Sequence, residues 1–386
     1  MQSVDAAVTD VAHATKKFFK RVLPIMLVML VCNQLNRSNI GYAHEHLEAD
    51  VGIGAAAYGF GAGLFFIAYA IFELPPSNVL MEKYGAKVWL TRIMISWGLV
   101  SFLMAYVQNE MMFYVLRFLL GAAEAGFFPP AVIFYFARWV PVGQRGKATA
   151  IFIAGSSVAA ALSGPIAGML LSLHDVLGLR GWQWLFGFEG LLSVAVGCVV
   201  FFLLDARIQD AKWLTPPAEK TALSQAIADE DAQHTQGANG KVNRWKMLLN
   251  PPQILLLCGI YFSVQLSIYA NTFWLPTIVK QIPGTTDLSV GFLSAIPWVC
   301  AVFAMYFAAK LQDKAKSKRP LLVVALLIAA VGTFAAAIAT PVLALVFLAV
   351  AAMGFKSASP LFWTIPPVWS SPRSAGPGHR DHQLLG

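Results

Sequence analysis

Ten apolar stretches, each long enough to cross a ~30 Å hydrocarbon core as a helix, succeed one another along this chain and leave it little choice of fold. They run at about 22–41, 58–80, 88–107, 111–136, 147–171, 184–204, 252–275, 289–309, 320–339 and 341–365. Charged residues make up only 12% of the chain and hydrophobic ones 58%, whereas a soluble domain carries about 25% charged residues. The chain reads as an all-α polytopic membrane protein. Its basic residues then set an orientation. Lys16, Lys17, Lys20 and Arg21 precede the first span, and Lys83, Lys87, Arg92, Arg138, Arg145 and Lys147 fall in loops on that same side, with the cations of 207–246 and 310–319. The opposite side holds Arg180 and Lys280. By the positive-inside rule the N-terminus is cytoplasmic. The formal charge of +8 is thus topology, not a sign of nucleic-acid binding.

The order of the spans divides the chain. A tail at 1–21 leads into a six-span half at 22–204, a polar cytoplasmic linker at 205–250, and a second block of four spans at 251–368. Asn33, Asn36 and Arg37 interrupt the first span, and nine more spans come after it, so it is a retained helix rather than a cleaved signal. The loop after span two carries Glu82, Lys83 and Lys87; the loop after span eight carries Asp313, Lys314 and Lys318 at the same offsets. Six spans separate these loops, as in a parallel repeat of two six-helix halves. The second half then lacks two helices. The tail at 369–386 is polar, and a one-base shift across 378–383 can encode an apolar helix start, so a frameshifted tail is expected there. Cys32, Cys198, Cys258 and Cys300 each fall in a different span without CxxC spacing, which points to neither disulfide nor metal.

Three cations remain inside the membrane: Arg37, Arg117 and Lys356. Glu124 lies about two helical turns beyond Arg117 and shares its face. Each such charge costs at least ~2.5–3.5 kcal/mol at membrane depth. Helix rise puts Arg37 ~22 Å above the cytoplasmic edge and Arg117 ~9 Å below the outer one, so the two are level. Two cations at one height call for a carboxylate or a bound anion, and the guanidinium fork grips carboxylates in bidentate fashion. Glu124 lies ~10 Å deeper, where burial opposes its charge and suits it to take up and release a proton. An interhelical ion pair is the plainer reading of these charges.

Other polar residues are weaker candidates. Glu73 and Glu189 read as structural. Tyr69 can hydrogen-bond a substrate. Tyr261, Tyr269, Asn271 and Trp274 in span seven, with Lys356, Ser357 and Trp363 in span ten, give the second half a polar, aromatic face. A lone intramembrane Lys356 needs a partner. His44-Glu45-His46 looks metal-like but reads as a solvated external loop without a third ligand. No H-E-x-x-H, G-x-S-x-G or Walker loop occurs, which argues against an enzyme or a nucleotide-driven pump.

With those residues in view, the chain resembles the major facilitator superfamily, in its anion:cation symporter family of tartrate, phthalate and hexuronate-type permeases. N-R-S-N-I-G-Y-A at 36–43, F-E-L-P-P-S-N at 72–78, R-I-M-I-S-W-G at 92–98 and R-F-L-L-G-A-A-E-A-G-F-F-P at 117–129 carry the resemblance. G-W-Q-W-L-F at 181–186, W-L-P-T-I-V at 274–279 and F-W-T-I-P at 362–366 complete it. It implies the major facilitator fold (6+6 helices in the family, 6+4 here), a monomer in the inner membrane, and alternating-access import of a small organic carboxylate with H⁺, without a cofactor. By position it implies Arg37 and Arg117 as carboxylate ligands, Tyr69 as a substrate-facing ring and Glu124 as the coupling carboxyl. Asn36 stands where the family commonly has Asp, so the proton load falls on Glu124. Doubled prolines at 75–76, 216–217 and 251–252 look like single ones with a residue added; in span two the extra residue rotates the remainder of the helix by about 100°. Two other expectations stand beside import: a non-transporting product of a damaged reading frame, and a sensor that binds the anion without moving it.

Overall fold

A computed structural model describes residues 2–73, 78–237, 252–315 and 319–363, which are helical with short connections and contain no strand. Helix α1 (Gln2–Val51) is followed by α2 (Ala55–Phe72), α3 (Asn78–Tyr84), α4 (Ala86–Met104), α5 (Glu110–Glu124) and α6 (Val132–Trp139). Then come α7 (Val142–Leu171), α8 (Gly181–Leu203) and α9 (Pro217–Gly237), and in the second half α10 (Pro252–Lys280), α11 (Asp287–Lys314), α12 (Arg319–Ile338) and α13 (Pro341–Trp363). Among the described residues 9 of these helices are long and apolar enough to cross a membrane. The fourth apolar run is not one of them, because it is broken into α5 and α6.

The break has a local cause. The Asn109 side chain caps α5 by accepting from Met112 N at 2.9 Å. The helix stops at Glu124 because Gly126 takes φ +87°, a left-handed conformation that glycine adopts without a Cβ clash. Pro129 and Pro130 then deny the backbone two donors, and one π-helical turn (Phe127–Ala131) carries the chain into α6. Glu124 is thereby left at the carboxyl end of α5. There the helix dipole disfavours a negative charge unless something answers it.

Close helix crossings hold the halves. In the first half α4 packs on α8 where Gly98 meets Gly190: a Cβ on Gly98 would stand 2.8 Å from the Gly190 carbonyl oxygen. Between the halves, Gly164 of α7 and Gly291 of α11 face each other's backbone so closely that a Cβ on either would collide with the other's carbonyl. Small residues let helix backbones approach where lipid supplies no hydrophobic drive for association.

Parts of the segments read as an N-terminal tail and a polar linker pack onto the helices. Residues 2–21 continue α1, and Ala14 and Phe18 are buried, Phe18 packing on Tyr135, Phe136 and Trp139. Within the 205–250 linker, α9 buries Leu223 and Ile227. It is fastened by Lys17–Glu219 at 2.7 Å and Arg145–Glu230 at 2.8 Å. The apolar faces of these segments drive the packing, which average polarity conceals. Residues 238–251 and the tail at 364–386 lie outside the described residues, so the expected frameshifted end is not seen.

Gly98→Leu should destabilise the protein by about 1–3 kcal/mol, the usual cost of overpacking. Gly59→Leu is the control, since nothing lies within 4 Å of its added Cβ. Thermal unfolding of the purified protein in detergent checks the contrast; equal melting of the two variants would contradict the crossing.

Candidate functional site

The site grows from one stripe of α1. Asn33, Asn36 and Arg37 lie three and four residues apart, so their side chains leave the helix on neighbouring faces. Asn33 Nδ2 donates to Glu124 Oε1 at 2.7 Å, and Arg37 Nε forms an ion pair with the same oxygen. Arg37 Nη1 also donates to the Tyr269 hydroxyl of α10, which joins the two halves. The guanidinium lies 5.1 Å from the Tyr69 ring centroid and 5.9 Å from that of Tyr269. Glu124 is 1% exposed. The two cations expected to face each other across an absent anion are thus unequal, because Arg37 already holds a carboxylate.

Arg117 is the other case. It too is 1% exposed. Its guanidinium lies 4.8 Å from the Phe65 ring centroid, and its Nε has no hydrogen-bond partner. Among the described residues it forms no ion pair. Phe65 is shared, standing 6.0 Å from the Arg37 guanidinium as well.

Between the halves lies a cavity of about 360 Å³. Its wall takes Asn33, Gln34 and Arg37 from α1, Thr149, Phe152 and Ser156 from α7, Tyr261, Gln265, Tyr269 and Thr272 from α10, and Lys356 and Ser359 from α13. Lys356 is 9% exposed, with its ammonium 5.4 Å from the Trp298 ring centroid. Among the described residues no carboxylate pairs with it. Arg37, Tyr269 and Lys356 therefore come together at one cavity. Arg117, Glu124, Tyr69 and Asn271 do not line it; Asn271 is buried with both amide atoms unbonded. The side chain of Trp363 lies outside the described residues. Gln265, Thr149 and Ser156 were missed, although a polar residue within an apolar span was the signal available.

The cavity lies on the N-terminal side of the Arg37 level, and the opposite end is closed. There Tyr58 donates to the Phe273 carbonyl at 3.1 Å. His46 contacts Asp287 at 3.2 Å, and Asp287 pairs with Lys280 at 2.6 Å. These contacts correct the reading of His44-Glu45-His46 as a solvated loop. All three lie within α1, and His44 is 3% exposed with its ring 4.2 Å from that of Tyr58. The first span simply runs longer than its apolar core, and a histidine can cap it by packing on aromatic rings. No cluster of metal-ligating residues occurs among the described residues.

Elsewhere Glu189 is buried in α8, its Oε2 accepting from Asn39 at 3.0 Å. Glu73 accepts from Tyr69 at 3.3 Å. In the paired loop motif, Glu82, Lys83 and Lys314 are exposed, and Lys87 lies 4.8 Å from the Phe201 ring centroid. The Asp313 side chain and residues 316–318 are outside the described set, so the matched geometry of the two loops is not seen.

Comparison with known proteins agrees on one family. The profile described as Major Facilitator Superfamily matches residues 26–376. A protein of Acinetobacter baumannii named a quinolone resistance transporter is 38% identical over 360 residues, spanning 93% of this chain and 81% of that one. One of Agrobacterium vitis, provisionally named a tartrate transporter, is 38% identical over 365 residues, spanning 94% of this chain and 82% of its own. Among solved structures, the fold is similar to a bacterial homologue of the human lysosomal transporter Spinster, with a TM-score of 0.69 at 17% identity. That alignment covers 92% of this chain and 75% of that one.

Removing one member of the buried ion pair leaves the other uncompensated. Glu124→Leu and Arg37→Met should therefore each cost about 3–5 kcal/mol of stability alone, and the two together much less than their sum. A double-mutant cycle by thermal unfolding in detergent measures this coupling. Additive losses would show that the two side chains do not act as a pair.

Proposed function

The chain belongs to the major facilitator superfamily of membrane transporters, and from that premise we propose that it imports a small organic carboxylate together with a proton. The observation that carries this reading is the double engagement of Arg37. It faces the cavity and at the same time holds the buried Glu124. A substrate carboxylate and the Glu124 carboxylate compete for one guanidinium. A proton on Glu124 cancels its charge and frees Arg37, so proton and anion bind with positive coupling, and by linkage each strengthens the other. Loss of the proton restores the internal pair and expels the anion.

The remaining roles come from placement. With the N-terminus cytoplasmic in a bacterial inner membrane, the cavity is the inward one and the His46–Asp287 end is the closed outer gate. Arg117, behind Phe65, receives the anion in the outward state, when rocking of the halves exchanges which end is sealed. Tyr69, Tyr269, Asn271, Lys356 and Trp363 complete the substrate site as the halves close. Glu82, Lys83, Lys87, Asp313 and Lys314 act at the cytoplasmic loops where the halves pivot. The family resemblance at the quoted motifs and a relative named for tartrate support a carboxylate. A relative named for quinolone resistance favours a second reading, export of an acidic compound through the same cavity.

The test is uptake into proteoliposomes of radiolabelled tartrate, phthalate, glucarate, galactonate and 4-hydroxyphenylacetate, with an inward proton gradient imposed or collapsed. Gradient-driven uptake of one acid is expected. Arg117→Ala should weaken binding about tenfold to a hundredfold, the worth of a lost hydrogen bond to a charged group. Glu124→Gln should retain exchange while losing accumulation. Normal proton-driven accumulation by Glu124→Gln removes the coupling role, and outward movement alone selects export.

A further inference from the structure

We infer that the ligand of this cavity is a dianion, held by one half of the protein at each end. The inference rests on the carboxylate reading above and narrows it. Arg37 stands on α1 in the first half and Lys356 on α13 in the second, and both line the same cavity. Its volume of about 360 Å³ is that of a site for a small acid.

The two cations differ in what already answers them. Arg37 has Glu124, so one protonation event exchanges an internal carboxylate for a ligand's. Lys356 is 9% exposed, rests against the Trp298 ring, and meets no carboxylate among the described residues. Apart from Arg37, the polar residues that share the cavity wall with it, such as Gln265, Tyr269 and Ser359, are uncharged. A ring face attracts an ammonium without neutralising it. A monocarboxylate on Arg37 therefore leaves Lys356 as a buried, unpaired charge, and that omission is what discriminates against it. A second acid group neutralises Lys356. Because the two cations belong to different halves, such a ligand also bridges the parts that must move together, and a singly charged one does not.

Lys356 is thus the specificity residue, and charge number rather than carbon skeleton is what it reads. The measurement is calorimetric binding to the purified full chain. Tartrate and phthalate are each compared with their monomethyl esters, which keep the shape and lose one charge. Each diacid should bind at least tenfold more tightly than its ester. Lys356→Gln should erase that gap by weakening the diacid alone, and Lys356→Arg should preserve it, which separates a lost charge from a damaged fold. Equal binding of diacid and ester by the natural protein, an undiminished gap in Lys356→Gln, or no binding of either diacid would overturn the inference. Uptake confined to the monocarboxylate galactonate would overturn it while leaving proton-coupled import intact. Diacid binding with the predicted gap but no gradient-driven uptake would support it and defeat the import reading instead.

Discussion

The pairing of Arg37 with Glu124 is the interaction on which the rest of the site depends. Either charge alone at membrane depth is costly, and the broken span puts Glu124 at the end of α5 where the helix dipole adds to the cost. Asn33 and Arg37 answer it from α1, while Tyr269 ties the same guanidinium to the second half. One side chain therefore touches a carboxyl, a cavity and the opposing half at once. Under the proposed coupling, that convergence is what would let a proton change what the cavity sees.

Close glycine crossings and ion pairs hold the scaffold around this arrangement. Within the first half, α4 and α8 approach at Gly98 and Gly190 until no side chain fits between them. α9 is latched to α1 and α7 by Lys17–Glu219 and Arg145–Glu230. Between the halves, the closed end relies on short polar contacts such as Tyr58 to the Phe273 carbonyl and His46 to Asp287. Such contacts can be exchanged for water. Backbone-to-backbone glycine packing cannot, and it occurs both inside the first half at Gly98–Gly190 and between the halves at Gly164–Gly291.

Much of this was legible in the chain. Nine of the ten apolar runs became helices long and apolar enough to cross a bilayer, because length and apolarity alone satisfy it, and the fourth became a helix broken near Gly126. Arg37 and Lys356 stood out because charge there is expensive. What was not legible depended on reach and on distant contacts. Helix rise placed Glu124 well below Arg37, but a long guanidinium arm closes that gap. Arg117 looked equivalent to Arg37 from depth alone, but it does not line the cavity, and the Phe65 ring it packs against belongs to another helix. Residues 2–21 and 217–237 read as polar because their average composition is polar. Their buried faces, Phe18 in one and Leu223 and Ile227 in the other, are narrow stripes that only a docking partner reveals.

The charge balance of the interior explains why binding and release need separate control. Among the described residues, Lys356 is a buried cation on the cavity wall with no carboxylate paired to it, and the other cation there, Arg37, is already committed to Glu124. Such a cavity attracts anions strongly in a medium that screens poorly. Strong attraction alone would make a trap, since an anion bound to unpaired cations has no reason to leave. In the proposed mechanism Glu124 resolves this as the switchable anion: with a proton it would yield Arg37 to the ligand, and without one it would reclaim Arg37 and leave the ligand with one contact fewer. The lever proposed for release is thus the same ion pair that the structure shows in the absence of ligand.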